Sequence, residues 1–95
     1  MLMRNIEPRV YRQRLIVECK LDKNFKITEE IVRRYLTTLT NELRMSLIHG
    51  PIVGSWAKDY KPDKYDGVEG FVAWIESGAH FHSWERYNFI TLDIT

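Results

Sequence analysis

One segment of this chain has the periodicity of an amphipathic helix, and it restricts the possible folds more than any other feature. It reads KITEEIVRRYLTTLTNELRMSLIHGP, residues 26–51. Apolar residues recur there at helical spacing and predict a single buried stripe: Val32, Leu36, Leu39, Leu43 and Leu47. Thr28 suits the N-cap, and two glutamates follow it at the positive end of the helix dipole. Gly50 and Pro51 predict the end of the helix, which can cover one face of a sheet.

The remaining segments have the shorter periodicity of strands. Residues 10–22 alternate, so one face of the first predicted strand is apolar: Leu15, Val17, Cys19 and Leu21. Four further strands are predicted after the helix, in residues 52–60, 68–77, 79–84 and 87–95. A strand, a long helix and an antiparallel run of strands predict an α+β fold. We expect a two-layer sandwich, with a mostly antiparallel sheet and one long amphipathic helix on one face, as a single domain over residues 1–95.

Composition excludes several functional classes. Fourteen basic and thirteen acidic residues leave a net charge of +1, too small to attract nucleic acid or an anionic membrane strongly. Cys19 is the only cysteine, so no internal disulfide can form and a reducing compartment is favoured. No apolar run is long enough to span a membrane. We therefore expect a soluble cytoplasmic protein that binds neither nucleic acid nor membrane.

The stretch ESGAHFHSWERYNF, residues 76–89, concentrates the residues that can carry chemistry. On a strand, His80, His82 and Trp84 would share one face, opposite Ala79, Phe81 and Ser83. Three interpretations from the residues alone stay open. The simplest is a pair of inert, hydrogen-bonded histidines at the surface of a sheet, and it is favoured over the other two.

The two alternatives are a metal site and a serine nucleophile. Two imidazoles separated by one residue can hold one ion, with a third ligand from Glu76, Glu85 or His49. Ser77 and Ser83 lie near histidines, but no G-x-S-x-G motif is present, so acyl transfer is disfavoured. We predict no metal site.

The longer stretch VEGFVAWIESGAHFHSWERYNFITLDI, residues 68–94, resembles the central segment of the bacterial and archaeal S-adenosylmethionine decarboxylases. In that family a Gly-containing strand leads to Glu-Ser, then to a His-containing strand, to Trp, and to a strand that ends near Asp. The preceding order of strand, long helix and strand is also similar to the family's. The resemblance therefore implies the S-adenosylmethionine decarboxylase-like fold.

The resemblance also implies a reaction and residues for it. Members are made as proenzymes in which the serine, here Ser77, attacks the carbonyl of the preceding residue, here Glu76. The chain is then cut before Ser77, which becomes a pyruvoyl cofactor for decarboxylation of an amine substrate. His82 matches the family's processing histidine, and a histidine suits proton removal at neutral pH. His80 and Glu69 are secondary candidates at positions where the family usually has serine.

The implied protein is a homodimeric decarboxylase of S-adenosylmethionine in polyamine (spermidine) biosynthesis. Three positions depart from the family: Gly78 replaces a histidine, Glu69 replaces a serine, and Glu85-Arg86 replaces Pro-Glu. Two alternatives follow, a decarboxylase of another amine such as arginine or ornithine, and an uncut member that acts as a regulatory or structural partner. The sequence stops at Thr95 inside a predicted strand, so we expect further residues beyond it and an edge that pairs with a second copy.

Overall fold

The computed structural model describes residues 13–95 and shows an α+β fold. Five strands form one antiparallel sheet: β1 (Leu15–Lys20), β2 (Leu47–Gly54), β3 (Glu69–Trp74), β4 (Gly78–Trp84) and β5 (Phe89–Ile94). Two α-helices lie within these residues, α1 (Glu29–Glu42) and α2 (Trp56–Tyr60), with a 3-10 turn at Glu85–Tyr87. The order of strands across the sheet is β1-β5-β4-β3-β2, and every neighbouring pair is antiparallel. The α+β class and the antiparallel sheet are thus confirmed.

Helix α1 begins where the sequence predicts but ends earlier. The Thr28 hydroxyl accepts a hydrogen bond from the Ile31 N–H at 3.2 Å, so the N-cap is confirmed. The helix ends at Glu42, and Arg44 then takes a left-handed φ of 54°. The predicted end at Gly50 is wrong, because the chain from residue 47 onward pairs with β3.

Gly50 has a different role from the one that the sequence predicts. It lies at an irregularity of β2, with a φ of 104° that favours glycine. A Cβ there would lie 2.9 Å from the carbonyl oxygen of Phe71 on β3. Glycine is therefore required for the close approach of two strands.

The predicted strand at residues 52–60 is only partly correct. Its first three residues, 52–54, belong to β2, whereas Trp56–Tyr60 form helix α2. The Ala57 N–H donates a hydrogen bond to the Glu69 carboxylate on β3 at 3.0 Å, which holds this helix against the sheet. The last three predicted strands are confirmed as β3, β4 and β5, with shifted ends.

The core lies between α1 and the β3 side of the sheet. Its fully or nearly fully buried apolar side chains come from α1, from the strands and from the residue that precedes β3: Val32, Leu36, Val68, Val72, Trp74, Ala79, Phe81 and Leu92. The Trp74 indole N–H donates to the Thr40 hydroxyl at 2.9 Å, which satisfies both buried polar groups. Helix α1 packs on β2 and β3, so within residues 13–95 no helix lies over the far end of the sheet.

Strand β1 is exposed along its whole length, so the alternation that the sequence predicts is not accompanied by burial of one face. Leu15 and Val17 are 55% and 39% exposed, because α1 lies over the other end of the sheet. Residues 10–12 of the predicted strand lie outside the described residues. The prediction that the last strand forms an edge is wrong, since β5 lies between β1 and β4.

Candidate functional site

The Glu76-Ser77 peptide bond lies in a tight hairpin between β3 and β4. Trp74 and Ser77 exchange backbone hydrogen bonds of 2.9 and 3.3 Å, which leaves only Ile75 and Glu76 in the turn. The Glu76 carboxylate accepts hydrogen bonds from the N–H and the hydroxyl of Ser46, both at 3.0 Å. These bonds, the backbone N–H first, lower the pKa of Glu76. The turn is thereby fastened to the segment that follows α1.

The histidine side chains of strand β4 lie on the face of the sheet opposite α1. Ala79, Phe81 and Ser83 are buried, whereas His80 is exposed and His82 is half-buried. The predicted alternation of the HFH stretch is therefore confirmed. We call the side of the sheet that carries His80 the open face.

A hollow of about 350 Å³ adjoins the hairpin, and we call it the Ser77 hollow. Its functional side chains are those of His49, Ser77, His80 and Asp93, beside apolar walls from Ile52 and Phe71. The Ser77 hydroxyl is 3.5 Å from the Gly78 carbonyl oxygen, a weak contact that leaves it available for chemistry. The His80 ring stacks on the Phe71 ring, with centroids 4.5 Å apart and planes inclined by 1°.

Asp93 places a carboxylate beside His80. The two residues are directly opposite each other on β5 and β4. Both carboxylate oxygens of Asp93 accept hydrogen bonds from the Arg14 guanidinium, at 3.1 and 2.7 Å. These bonds outweigh partial burial and lower the pKa of Asp93, and the nearby His80 acts in the same direction. Asp93 is therefore ionised at neutral pH.

Glu69 and His82 form a second pair, farther along the open face. They are register partners on β3 and β4. Glu69 is only 7% exposed; one carboxylate oxygen accepts from Ala57, and the other has no hydrogen-bond partner among the described residues. The His82 ring stacks on Trp84 at 4.0 Å between centroids. Burial lowers the pKa of His82, although the Glu69 carboxylate acts in the opposite direction.

The five predicted site residues lie in two adjoining groups within one chain, which meet at His80 and His82, whose ring centroids are 6.3 Å apart. Four positions of strand separate Gly78 from His82, about 13 Å at the usual rise per residue. Ser77 and His80 line the same hollow, with Glu76 in the adjoining turn, whereas His82 faces Glu69. A single chain does not bring His82 to Ser77.

Sequence reasoning missed two residues that hold the site together. Arg14 binds Asp93 across 79 residues of sequence, and Ser46 binds Glu76 across 30. No local pattern marks such partners, because the pairing exists only once the strands are placed. The sequence indicates His49 only as a possible metal ligand, whereas the structure places it in the lining of the Ser77 hollow.

Residues 13–95 contain no group of three or more His, Cys, Asp or Glu side chains that could hold a metal ion. Glu76, one of the candidate third ligands, is hydrogen-bonded to Ser46 instead.

Comparison with known proteins gives no match, whether to a protein-family model, a curated protein or a solved structure. In the described part of the chain, each helix is too short or too polar to cross a membrane. The geometry of the open face is therefore the basis on which a function can be assigned.

Proposed function

We propose that this protein is a pyruvoyl-dependent decarboxylase with the S-adenosylmethionine decarboxylase-like fold, made as a proenzyme that cleaves itself between Glu76 and Ser77. One observation carries the proposal: Ser77 follows a two-residue turn and lines a hollow that also contains a histidine, His80. S-adenosylmethionine is the favoured substrate, in cytoplasmic polyamine synthesis. Arginine and ornithine are the alternatives.

Cleavage uses groups of the chain itself and one water molecule. The Ser77 hydroxyl oxygen attacks the Glu76 carbonyl carbon, and an ester replaces the peptide bond. A base removes the Ser77 Cα proton, the bond between Cβ and the ester oxygen breaks, and the main-chain carboxylate of Glu76 leaves as a Cα–Cβ double bond forms at residue 77. Water then displaces ammonia and leaves a pyruvoyl group at the new N-terminus. The cofactor supplies an electron sink for loss of carbon dioxide from a bound amine.

Two contacts support the turn as the place of cleavage. Ser46 fixes the Glu76 side chain through two hydrogen bonds, and its carbonyl accepts from the Ile75 N–H at 2.9 Å. A fixed turn restricts the motion of the scissile carbonyl relative to the Ser77 hydroxyl, which favours an intramolecular attack.

Which histidine can act as the base depends on whether cleavage takes place within one chain or with the help of a second copy. His80 shares the Ser77 hollow and can act within the chain, beside the ionised Asp93. His82 lies about 13 Å along the strand from Gly78, so it can serve Ser77 only from a second copy. The proposed homodimer is the arrangement in which His82 takes part.

Glu69 supports a substrate with a positive charge. One of its buried carboxylate oxygens lacks a hydrogen-bond partner among the described residues. Buried polar atoms are normally hydrogen-bonded, so this oxygen can accept a hydrogen bond from a ligand. The Phe71 ring, two residues along β3, packs against Trp56 at 6.1 Å between centroids. A carboxylate beside aromatic rings suits an ammonium, sulfonium or guanidinium group.

A second candidate is an uncut protein that acts as a partner or regulator of a decarboxylase. The observation that favours it is the position of His82, which faces Glu69 and not Ser77. In that case the hairpin would be a structural turn, and the chain would remain whole.

The test is the intact mass of the full-length protein after prolonged incubation at its working temperature. Cleavage predicts two fragments that separate between Glu76 and Ser77, the second carrying a ketone that reacts with hydroxylamine. Ser77→Ala should remain whole, and Ser83→Ala is a serine control if its fold is retained. A single uncut mass for the wild type would reject the self-cleaving decarboxylase. The uncut partner or regulator would then be the remaining candidate.

Matched histidine variants identify the base. His80→Ala alone should stop cleavage if the base acts within the chain. If His82→Ala stops it instead, mixing this variant with Ser77→Ala should restore cleavage of the former, because the Ser77→Ala copy supplies His82 in trans.

A further inference from the structure

A second hollow, of about 290 Å³, lies at the other end of β4, and we call it the basic hollow. Its walls come from the segment between β1 and α1 and from the connection between β4 and β5. Six side chains define its character, three cations and three aromatic rings: Lys23, Lys26, Arg86, Phe25, Trp84 and Phe89. Its volume is near the lower end of the range for small-molecule pockets, about 300–1,000 Å³.

Most of the positively charged groups of the basic hollow form no ion pair within the described residues. Within residues 13–95, neither lysine ammonium has an ion-pair partner. Asp66 and Glu85 also line the hollow, so three cations face two carboxylates. One of those carboxylates is already paired with Arg86, so among the lining residues the two lysines face only Glu85.

Arg86 is held in place by that pairing. An Asp66 oxygen accepts from the Arg86 backbone N–H at 2.9 Å and from its Nε–H at 2.8 Å. Burial by itself would raise the pKa of Asp66, but the hydrogen bonds from Arg86 outweigh it and lower that pKa. The terminal NH₂ groups of Arg86 make no hydrogen bond to other described residues. A fixed guanidinium with free donors is suited to bidentate contact with a carboxylate or phosphate.

The aromatic rings give the basic hollow an apolar surface beside its charged groups. Trp84 and Phe89 pack against each other with centroids 5.5 Å apart and planes inclined by 42°. Phe25 is 51% exposed and lines the same hollow. Flat apolar ligand atoms can contact these rings while a charged group reaches the cations.

We propose that the basic hollow binds a small organic anion, a carboxylate or phosphate monoester on a flat apolar body. The proposal does not depend on the proposed function, because the hollow is separate from Ser77 and shares no lining residue with the Ser77 hollow. It assigns the chain a ligand site in addition to the candidate site of cleavage.

The test is an NMR titration of the ¹⁵N-labelled full chain with indole-3-acetate and with its neutral analogue indole-3-acetamide. Indole-3-acetate should shift the Trp84 indole and Arg86 amide signals, with affinity about tenfold above that of the amide, since it adds a charge contact. Equal binding of the two probes, or shifts confined to His80 and Ser77, would overturn the proposal. Phenyl phosphate should bind more tightly than inorganic phosphate; equal affinity would also overturn it, because the rings would then contribute nothing.

Lysine variants give a matched control. The double variant Lys23→Ala, Lys26→Ala should weaken indole-3-acetate binding by about tenfold, roughly the loss of two exposed ion pairs. The control is Lys58→Ala, Lys61→Ala, at two exposed lysines in and beside α2. It should bind the probe as the wild type does. An equal loss in both double variants would indicate general charge attraction and reject the site.

Discussion

The two hollows at opposite ends of β4 use charge in different ways. At the Ser77 hollow, both oxygens of Asp93 bind Arg14, and neither His49 nor His80 makes a side-chain hydrogen bond to another residue in the range 13–95. At the basic hollow, Arg86 is anchored through one edge only, and two lysines have no ion-pair partner among the described residues. The first arrangement suits proton transfer beside a nucleophile, and the second suits binding of an anion. In the two proposals, one strand contributes residues to both sites, because its ends lie beside different loops.

The largest expected difference between the two ends of β4 is in the stability lost when a glycine is replaced by alanine. A Cβ on Gly67 would lie 1.6 Å from the carbonyl oxygen of Ser83, a basic-hollow residue, whereas a Cβ on Gly78 would lie 3.1 Å from that of Val72. We expect Gly67→Ala to lower the free energy of unfolding by about 3 kcal/mol or more, since backbone must move. Gly78→Ala should change it by less than about 1 kcal/mol.

Urea denaturation of both variants measures this difference. Equal losses would mean that the backbone near Gly67 adjusts easily, and that the closer packing around Gly67 than around Gly78 has no effect on stability.

A smaller difference is expected between the two aspartates that bind arginine. Asp66→Ala should cost about 1 kcal/mol, because it also removes the acceptor of the Arg86 backbone N–H. Asp93→Ala should cost about 0.5 kcal/mol, since solvent screens its exposed pair with Arg14. Both comparisons can be made by urea denaturation at neutral pH.

Acid should remove the same stabilisation. The pKa of each aspartate is lowered in the folded state, so its contribution is complete above the unfolded-state pKa, about 3.9, and is lost as the pH falls through the folded value. Each variant should therefore show a shallower loss of stability below about pH 4 than the wild type. Parallel curves for wild type and variants would show that neither pair contributes.

The smallest effect is expected at His82, which lies between the two ends. Burial lowers its pKa, so its contribution is complete above about pH 6.5 and decreases as the pH falls through the folded value. Glu69→Gln should lower this pKa further, because the carboxylate favours the charged imidazole. NMR titration of the His82 ring signals measures both values. An increase in the variant would mean that burial by Glu69, and not its charge, controls the histidine.

Local patterns predicted those features that depend on neighbours in sequence. Alternation in residues 79–84 determines which side chains share a face, and the hydroxyl of Thr28 caps the first turn of α1 within four residues. The same patterns gave wrong predictions where pairing with a distant strand competes with the local structure. Leu43 and Leu47 continue the helical spacing, but β3 takes the chain from residue 47 into the sheet. In the same way, α2 forms in a predicted strand, where Glu69 accepts the backbone N–H of Ala57 in its first turn.

The sequence by itself therefore determined the α+β class, the alternation of β4 and the presence of Glu76, Ser77 and the histidines on neighbouring positions. Only the tertiary structure decided which of them meet. The order β1-β5-β4-β3-β2 places Asp93 beside His80 and Glu69 beside His82, and it puts β5 inside the sheet. The physical reason is that periodicity fixes the direction of a side chain, whereas its contacts depend on strand register, which is set by packing across the whole sheet.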